Sequence, residues 1–319
     1  MTATTSPRRA ARPRVAAVLA AALLLPVLAG CGDDSASGRE SGAAASAPSE
    51  DVTASLKKDP ALAKLLPEDV RKRGTLRIAT SVGAPPTAYF PDASSKKPVG
   101  LDIDIADSVG KLLGLKLDRQ EATFDAILPA LGSGKYDVGT GNFGVTDVRR
   151  KTIDFVTYIN DGQGFAVRKD DTSLSEVTRL DQLCGKVVGT GAGTTFEATL
   201  NANRHVCADA GRKRYSVKAF SDNGAILTGI QQGRIDVVMG TINGLRYQAA
   251  QSAAGVKFLG EFHRLDVGFA FKKGSPALKA FQGAVNKLIS DGTYDRILAK
   301  WGTTDSAIER SEISPPEKK

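Results

Sequence analysis

The feature that most constrains this chain is a repeat. Residues 126–141, AILPALGSGKYDVGTG, recur 99 residues later as 225–240, AILTGIQQGRIDVVMG. The copies share Ala-Ile-Leu, Gly134 and Gly233, a basic residue, Asp137 and Asp236, Val138 and Val237, and a final glycine. In each, a short apolar helical stretch ends at a glycine, which can take the left-handed conformation that closes a helix. A strand follows at once, Tyr136 to Val138 and Ile235 to Met239, in residues that suit a buried parallel sheet. Gly139, Gly141 and Gly240 then leave main chain uncovered at the carboxyl end of the strand, where open α/β sheets bind ligands. Two such units predict two α/β lobes that offer strand ends to a shared cleft.

A chain of 319 residues has the length of two domains. Its 41% apolar and 24% charged residues are ordinary for a soluble globular protein. The net charge of +8 is less telling than it looks, because Arg8, Arg9, Arg12 and Arg14, the only charged side chains in residues 1–30, supply half of it and leave +4. No Lys/Arg-rich run with interleaved aromatics remains, which argues against nucleic acid as a partner.

Those four arginines precede residues 15–29, VAAVLAAALLLPVLA, a stretch too short to span a bilayer comfortably but suited to the core of a signal peptide. Leu28-Ala29-Gly30-Cys31 comes next and resembles a bacterial lipobox. The expectation is that residues 1–30 are a signal peptide and that Cys31 is lipidated. Its acyl chains would hold the protein at the outer face of the cytoplasmic membrane, at about 0.8 kcal/mol per buried methylene, as its sole membrane attachment. Residues 31–58 are read as the lipidated cysteine and a flexible tether, since 32–50 hold no large apolar side chain. Cys184 and Cys207 are the other cysteines; an even pair in an exported protein predicts a disulfide, worth about 3 kcal/mol in the chain-entropy account. With His205 alone nearby, the pair has too few companions for a metal site.

Beyond the tether, residues 59–164 read as the first part of lobe 1, 165–266 as lobe 2, 267–305 as the return to lobe 1 and 306–319 as a polar tail. Lobe 1 has a strand at 75–80, a helix at 102–113 ended by Gly114, a strand at 115–121 and the first repeat helix at 124–131. Residues 152–158 and 164–168 read as extended segments that begin a crossing. Lobe 2 has a glycine-rich turn at 189–195, a helix at 196–203, a strand at 215–220, the second repeat and a helix at 243–252. Strands at 256–262 and 267–271 lead back, and helices at 276–290 and 294–301 finish the fold. Two crossings between rigid lobes permit hinging around a ligand.

Within GNFGVTDVRR, Arg149 follows the first strand end closely. A guanidinium beside exposed glycine backbone suits a carboxylate, which it can hold by two parallel charge-assisted hydrogen bonds; on the residues alone, a solvated helix charge remains an equal reading. Gly189-x-Gly191-x-Gly193 lacks the dinucleotide spacing and any Gly-Lys-Ser/Thr, but a helix start with Thr194 and Thr195 can bind any small anion. Phe124 reads as core or as a flat wall of the cleft. His205 and His263, the only histidines, lie beside no serine in an elbow motif, so no nucleophile and base pair emerges.

Several longer motifs carry a resemblance: VGLDIDIAD (99–107), FDAILPALGSGKYD (124–137), TDVRRKTIDF (146–155), GQGFAVRK (162–169), LCGKVVG (183–189), GRIDVV (233–238) and DGTYDRILAKW (291–301). In this order they make residues 74–302 resemble the solute-binding proteins, family 3, of polar amino-acid ABC transporters. The resemblance implies an α/β, two-lobed, type II periplasmic-binding-protein flytrap with two crossing hinge strands. It also implies delivery of an amino acid or related small carboxylate to a membrane permease, by a monomer with no enzymatic activity, no cofactor and no metal. It assigns Arg149 to the ligand α-carboxylate with help from Asn142 and Gly144, Phe124 to stacking, and Thr195 with Thr194 to the carboxylate from lobe 2. Thr241 stands where the family commonly places an aspartate for the ligand ammonium, and Ser81 and Ala84 replace an acidic and an aromatic residue. A neutral hydroxyl offers a cation far less than a carboxylate does, which points away from arginine or lysine. The alternative is an enzyme on the same fold, a dehydratase or a lytic transglycosylase.

Overall fold

The computed structural model describes residues 47–319; the apolar segment 15–29, Cys31 and the rest of residues 1–46 lie outside them. Two short helices come first, α1 (Pro60–Ala63) and α2 (Glu68–Arg73). Asp59 caps α1, its Oδ1 accepting from the N–H groups of Ala61 and Leu62. Then β1 (Thr75–Thr80), α3 (Leu101–Leu113), β2 (Lys116–Glu121), α4 (Phe124–Gly132) and β3 (Val138–Gly144) form a parallel unit with β1 between β2 and β3. Leu101, Ile105, Val109 and Leu112 put one face of α3 into the core, and Gly114, at φ +67°, stops the helix.

A 3₁₀ turn at Arg149–Lys151 leads into β4 (Ile153–Arg168). The same architecture follows in β5 (Val187–Gly191), α5 (Thr195–Ala202), α6 (Val206–Asp209), β6 (Ser216–Phe220), α7 (Asn223–Gln231) and β7 (Val237–Thr241), with β5 between β6 and β7. After α8 (Ile242–Ala250) the chain returns along β8 (Val256–Lys272) and ends its regular structure with α9 (Leu278–Ser290) and α10 (Thr293–Lys300).

The repeat is structural. Gly134 and Gly233 sit at φ +77° and +70°, turning the chain out of α4 and α7. Asp137 Oδ2 accepts from the N–H of Arg77 at 2.9 Å, and Asp236 Oδ2 accepts from the N–H of Val187 at 2.7 Å. The N–H groups of the two aspartates donate back to the carbonyls of Arg77 and Val187, both at 2.9 Å. Each aspartate thus holds both main-chain groups of one residue in the neighbouring parallel strand and fixes the register of its lobe.

Hydrogen bonding runs unbroken through eight strands in the order β2-β1-β3-β8-β4-β7-β5-β6. It is continuous because β4 and β8 pair antiparallel from Ile153 with Lys272 to Arg168 with Val256. Where the sequence suggested two extended pieces in each crossing, there is one strand of 16 residues and one of 17. The polar residues between the pieces do not break them, because their side chains have partners: Asn160 Nδ2 donates to Asp266 Oδ1 at 3.0 Å and Asp161 accepts from Asn142 Nδ2 at 2.8 Å.

The cores divide what the hydrogen bonds join. Lobe 1 packs Ile78, Val109, Phe281 and Leu298 on one face of its strands and Ile127, Leu131, Phe143 and Phe155 on the other. Lobe 2 packs Phe165, Val188, Leu200 and Cys207 on one face and Ile226, Ile230, Val238 and Leu245 on the other. Each lobe is therefore a three-layer unit, and β4 and β8 belong to both. The predicted disulfide is present between Cys184 and Cys207, with S–S at 2.06 Å.

Two segments differ from their expected character. The last part of the 31–58 tether is packed: Val52 and Thr53 are buried, and Lys111 Nζ donates to Thr53 O and Oγ1 at 3.1 and 2.8 Å. The 306–319 tail is also docked, against the free edge of β4. Thr157 N–H donates to Glu312 O at 3.0 Å, Ser311 Oγ to Thr157 O at 2.6 Å, and Phe155 N–H to Ser314 Oγ at 3.0 Å. A strand edge with unpaired main-chain groups needs such cover, and short polar side chains supply it without any apolar periodicity to betray them.

Candidate functional site

A cavity of about 450 Å³ lies where the carboxyl ends of β3 and β7 face each other. Phe124 enters it from the start of α4, Asn142 from β3, Arg149 from the 3₁₀ turn, Thr194 and Thr195 from the start of α5, and Thr241 from the end of β7. Six of the seven residues expected at a ligand site therefore line one space. Gly144 stands behind it: its carbonyl accepts from Arg149 Nη1 at 3.0 Å, and a Cβ there would lie 3.1 Å from Leu265 Cδ1 and 3.5 Å from Thr195 Cγ2.

Arg149 is held from three directions. Nη1 donates to Gly144 O in lobe 1, and Nη2 donates to Gly193 O in lobe 2, also at 3.0 Å. The guanidinium carbon lies 5.6 Å from the centroid of Phe124 and 5.9 Å from that of Phe143, and these two rings stack at 4.5 Å. Burial pushes its pKa down to about 10, which leaves it cationic at neutral pH. Both of its side-chain hydrogen bonds go to main-chain carbonyls, and Glu317, the carboxylate that favours its charge, forms no ion pair with it.

The hydroxyls differ in what they have left to give. Thr194 Oγ1 donates to Gly191 O at 2.6 Å and accepts from Glu197 N–H at 3.2 Å, so it serves as the cap of α5. Thr195, the first residue of that helix, is half-buried in the cavity wall with its hydroxyl free among the described residues. Thr241 Oγ1 accepts from Gly244 N–H at 3.0 Å as the cap of α8, which leaves its proton for donation. Asn142, at φ +57°, gives its N–H to Asp102 Oδ2 at 3.1 Å and an amide hydrogen to Asp161 Oδ2.

Behind Asn142 lies a network that sequence reasoning missed. Asp102 is fully buried on α3, accepts from Tyr158 Oη at 2.6 Å, and is pushed up to about 6 by its burial. Asp161 on β4 is raised by the same cause and accepts from Asn142 of lobe 1 and, at 3.2 Å, from the N–H of Asn243 at the start of α8 in lobe 2. One carboxylate thus ties the two lobes at the hinge. Its polar partners lie 19 and 82 residues away, beyond the reach of any local pattern. Glu121 and Asp222, also unforeseen, line the cavity as exposed carboxylates.

A half-buried cation, a free hydroxyl at a helix start and aromatic walls, shared between two hinged lobes, make a site for a small anion-bearing molecule. Residues 76–304 match the model of the bacterial extracellular solute-binding proteins, family 3. The chain belongs to that family. This family 3 protein is 24% identical over 258 residues to the arginine-binding protein ArgT of Corynebacterium glutamicum, covering 80% of this chain and 83% of that one. It is 28% identical over 239 residues to the L-cystine-binding protein TcyJ of Escherichia coli K12, covering 74% and 85%. Among solved structures it resembles an ancestral arginine-binding protein bound to arginine, at 36% identity and a TM-score of 0.65 over 72% of this chain and 98% of that one. It also resembles an ancestral amino acid-binding protein described as a precursor of cyclohexadienyl dehydratase, at 28% identity and a TM-score of 0.64 over 75% and 99%. The two-lobed type II fold and the solute-binding role expected from the motifs are those of this family 3 solute-binding protein.

Proposed function

We propose that this solute-binding protein holds an amino acid or a related small carboxylate between its lobes and delivers it to the permease of an ABC importer, acting as a monomer without catalysis. The supporting observation is Arg149, a cation placed at the lobe junction with only main-chain partners. In this reading the solute carboxylate takes Arg149 together with the hydroxyl of Thr195, Phe124 stacks against the solute, and Thr241 donates from lobe 2. A ligand that touches both lobes binds the closed form better than the open one and so shifts the population toward it. Cys31, through its acyl chains, would keep the protein at the outer face of the cytoplasmic membrane.

A thermal-shift screen of the full-length protein against amino acids, their N-methylated forms and small carboxylates tests the reading, since a ligand that binds only the folded state raises the melting temperature. Stabilisation by at least one carboxylate, absent for its amide, is the expected result. The dehydratase precursor among the similar structures makes turnover the competing reading; product formation from prephenate or arogenate would establish it.

A further inference from the structure

The two copies of the repeat differ in what lies beneath their helices. In lobe 1, Ile127, Leu128 and Leu131 of α4 pack into one cluster with Phe124 and Phe143. Gly139 lets α4 approach β3 closely, for a Cβ there would lie 2.6 Å from Ile127 Cγ2. The 99-residue offset of the repeat places Val238 at the position of Gly139, Asn223 at that of Phe124 and Ile242 at that of Phe143. The second copy has therefore lost both stacked rings and gained a branched side chain under its helix. Its corresponding helix residues, Ile226, Leu227 and Ile230, line the cavity.

The result is an apolar recess in lobe 2. Ile226 and Ile230 of α7 form the buried cluster of this lobe with Val238 and Leu245, and together with the half-buried Leu227 and Phe220 this cluster makes the apolar side of the cavity. The recess is part of the same cavity as Arg149, and about 450 Å³ falls within the roughly 300–1,000 Å³ of small-molecule sites. The two carboxylates of the cavity, Glu121 and Asp222, are exposed, and Asp222 is occupied in capping α7 by accepting from Gly224 N–H at 2.7 Å. Thr241 offers a hydroxyl, already bonded to Gly244, where a cation would need a carboxylate.

We propose that the recess between α7 and α8 is a subsite for an apolar side chain, so that the preferred solute is a small carboxylate, such as an amino acid, with a bulky hydrocarbon body. This rests on the carboxylate-binding role given to Arg149 above. Each methylene buried in the recess raises affinity about fourfold.

Calorimetric titration of the full-length protein with L-alanine, L-leucine, L-phenylalanine and L-arginine tests it. Leucine or phenylalanine should bind at least about tenfold more tightly than alanine or arginine. Leu227→Gln should lower the leucine affinity and narrow the ratio of leucine to alanine binding. Arginine or alanine binding as tightly as leucine would overturn the subsite while leaving the carboxylate role of Arg149 standing. Binding of none of the four would overturn the amino-acid reading and the subsite with it. The comparison among solutes on the natural chain decides the matter even if the variant does not fold.

Discussion

Arg149 of lobe 1 donates through Nη2 to the carbonyl oxygen of Gly193 in lobe 2 at 3.0 Å. The residue that would hold the solute is thus also a clasp between the lobes, and Gly193 is shaped for it. Gly193 sits at φ +70°, and a Cβ there would lie 3.0 Å from Asp125 Cβ across the junction. Gly193→Ala should lower thermal stability by about 1–3 kcal/mol through backbone strain. It should also weaken solute binding severalfold, because the lobes could no longer meet as closely. Differential scanning calorimetry and isothermal titration read the two effects.

The hinge network predicts a pH dependence. Burial raises the Asp102 carboxyl to about 6, so between the ordinary carboxylate range and that value the folded chain keeps a proton that the unfolded chain has lost. The contribution of Asp102 to stability is therefore complete at low pH and is lost as pH rises through about 6. Asp102→Asn keeps the shape and removes the titration. Relative to that variant, the natural protein should lose up to about 3 kcal/mol between pH ~4 and ~7, measured by urea denaturation.

The disulfide ties residues 23 apart in lobe 2, and Cys207 lies in the core cluster with Val188 and Leu200 rather than at the cavity. Replacing Cys184 and Cys207 by alanine should cost about 3 kcal/mol of stability. Solute affinity measured below the melting transition should change little.

Removal of residues 308–319 should expose the edge of β4 and strip main-chain partners from Phe155 and Thr157. Each buried donor or acceptor left unpaired costs about 1–3 kcal/mol. The truncated chain should therefore melt several degrees lower, with the loss centred in lobe 1.

Much of this architecture was legible because the repeat carries its own physics. Gly134 and Gly233 announced helix ends and adopt the left-handed backbone such ends require. Gly141 and Gly240 announced strand ends that do face the cavity, and Arg149 could be placed beside them; Gly139, expected to be uncovered with them, is instead buried beneath Ile127 and Leu131 of α4. The register role of Asp137 and Asp236 was hidden, since each acts on a strand 60 or 49 residues away. The single crossing strands were hidden because the polar Asn160 and Asp161 interrupt the apolar pattern between 152–158 and 164–168, and their partners Asp266 and Asn142 are distant in sequence. Asp102 was hidden for a related reason: a carboxylate at the start of a helix reads as favourable to the helix dipole, and only the fold buries it against Tyr158.

Solute binding by this protein turns on whether Arg149 holds the solute carboxylate. Calorimetric titration of Arg149→Ala and the natural protein, with whichever carboxylate the thermal screen identifies, measures this directly. Loss of a partner from a desolvated charge pair should weaken binding by well over tenfold, about 2–5 kcal/mol. An affinity unchanged within error would remove Arg149 from the site and contradict the account.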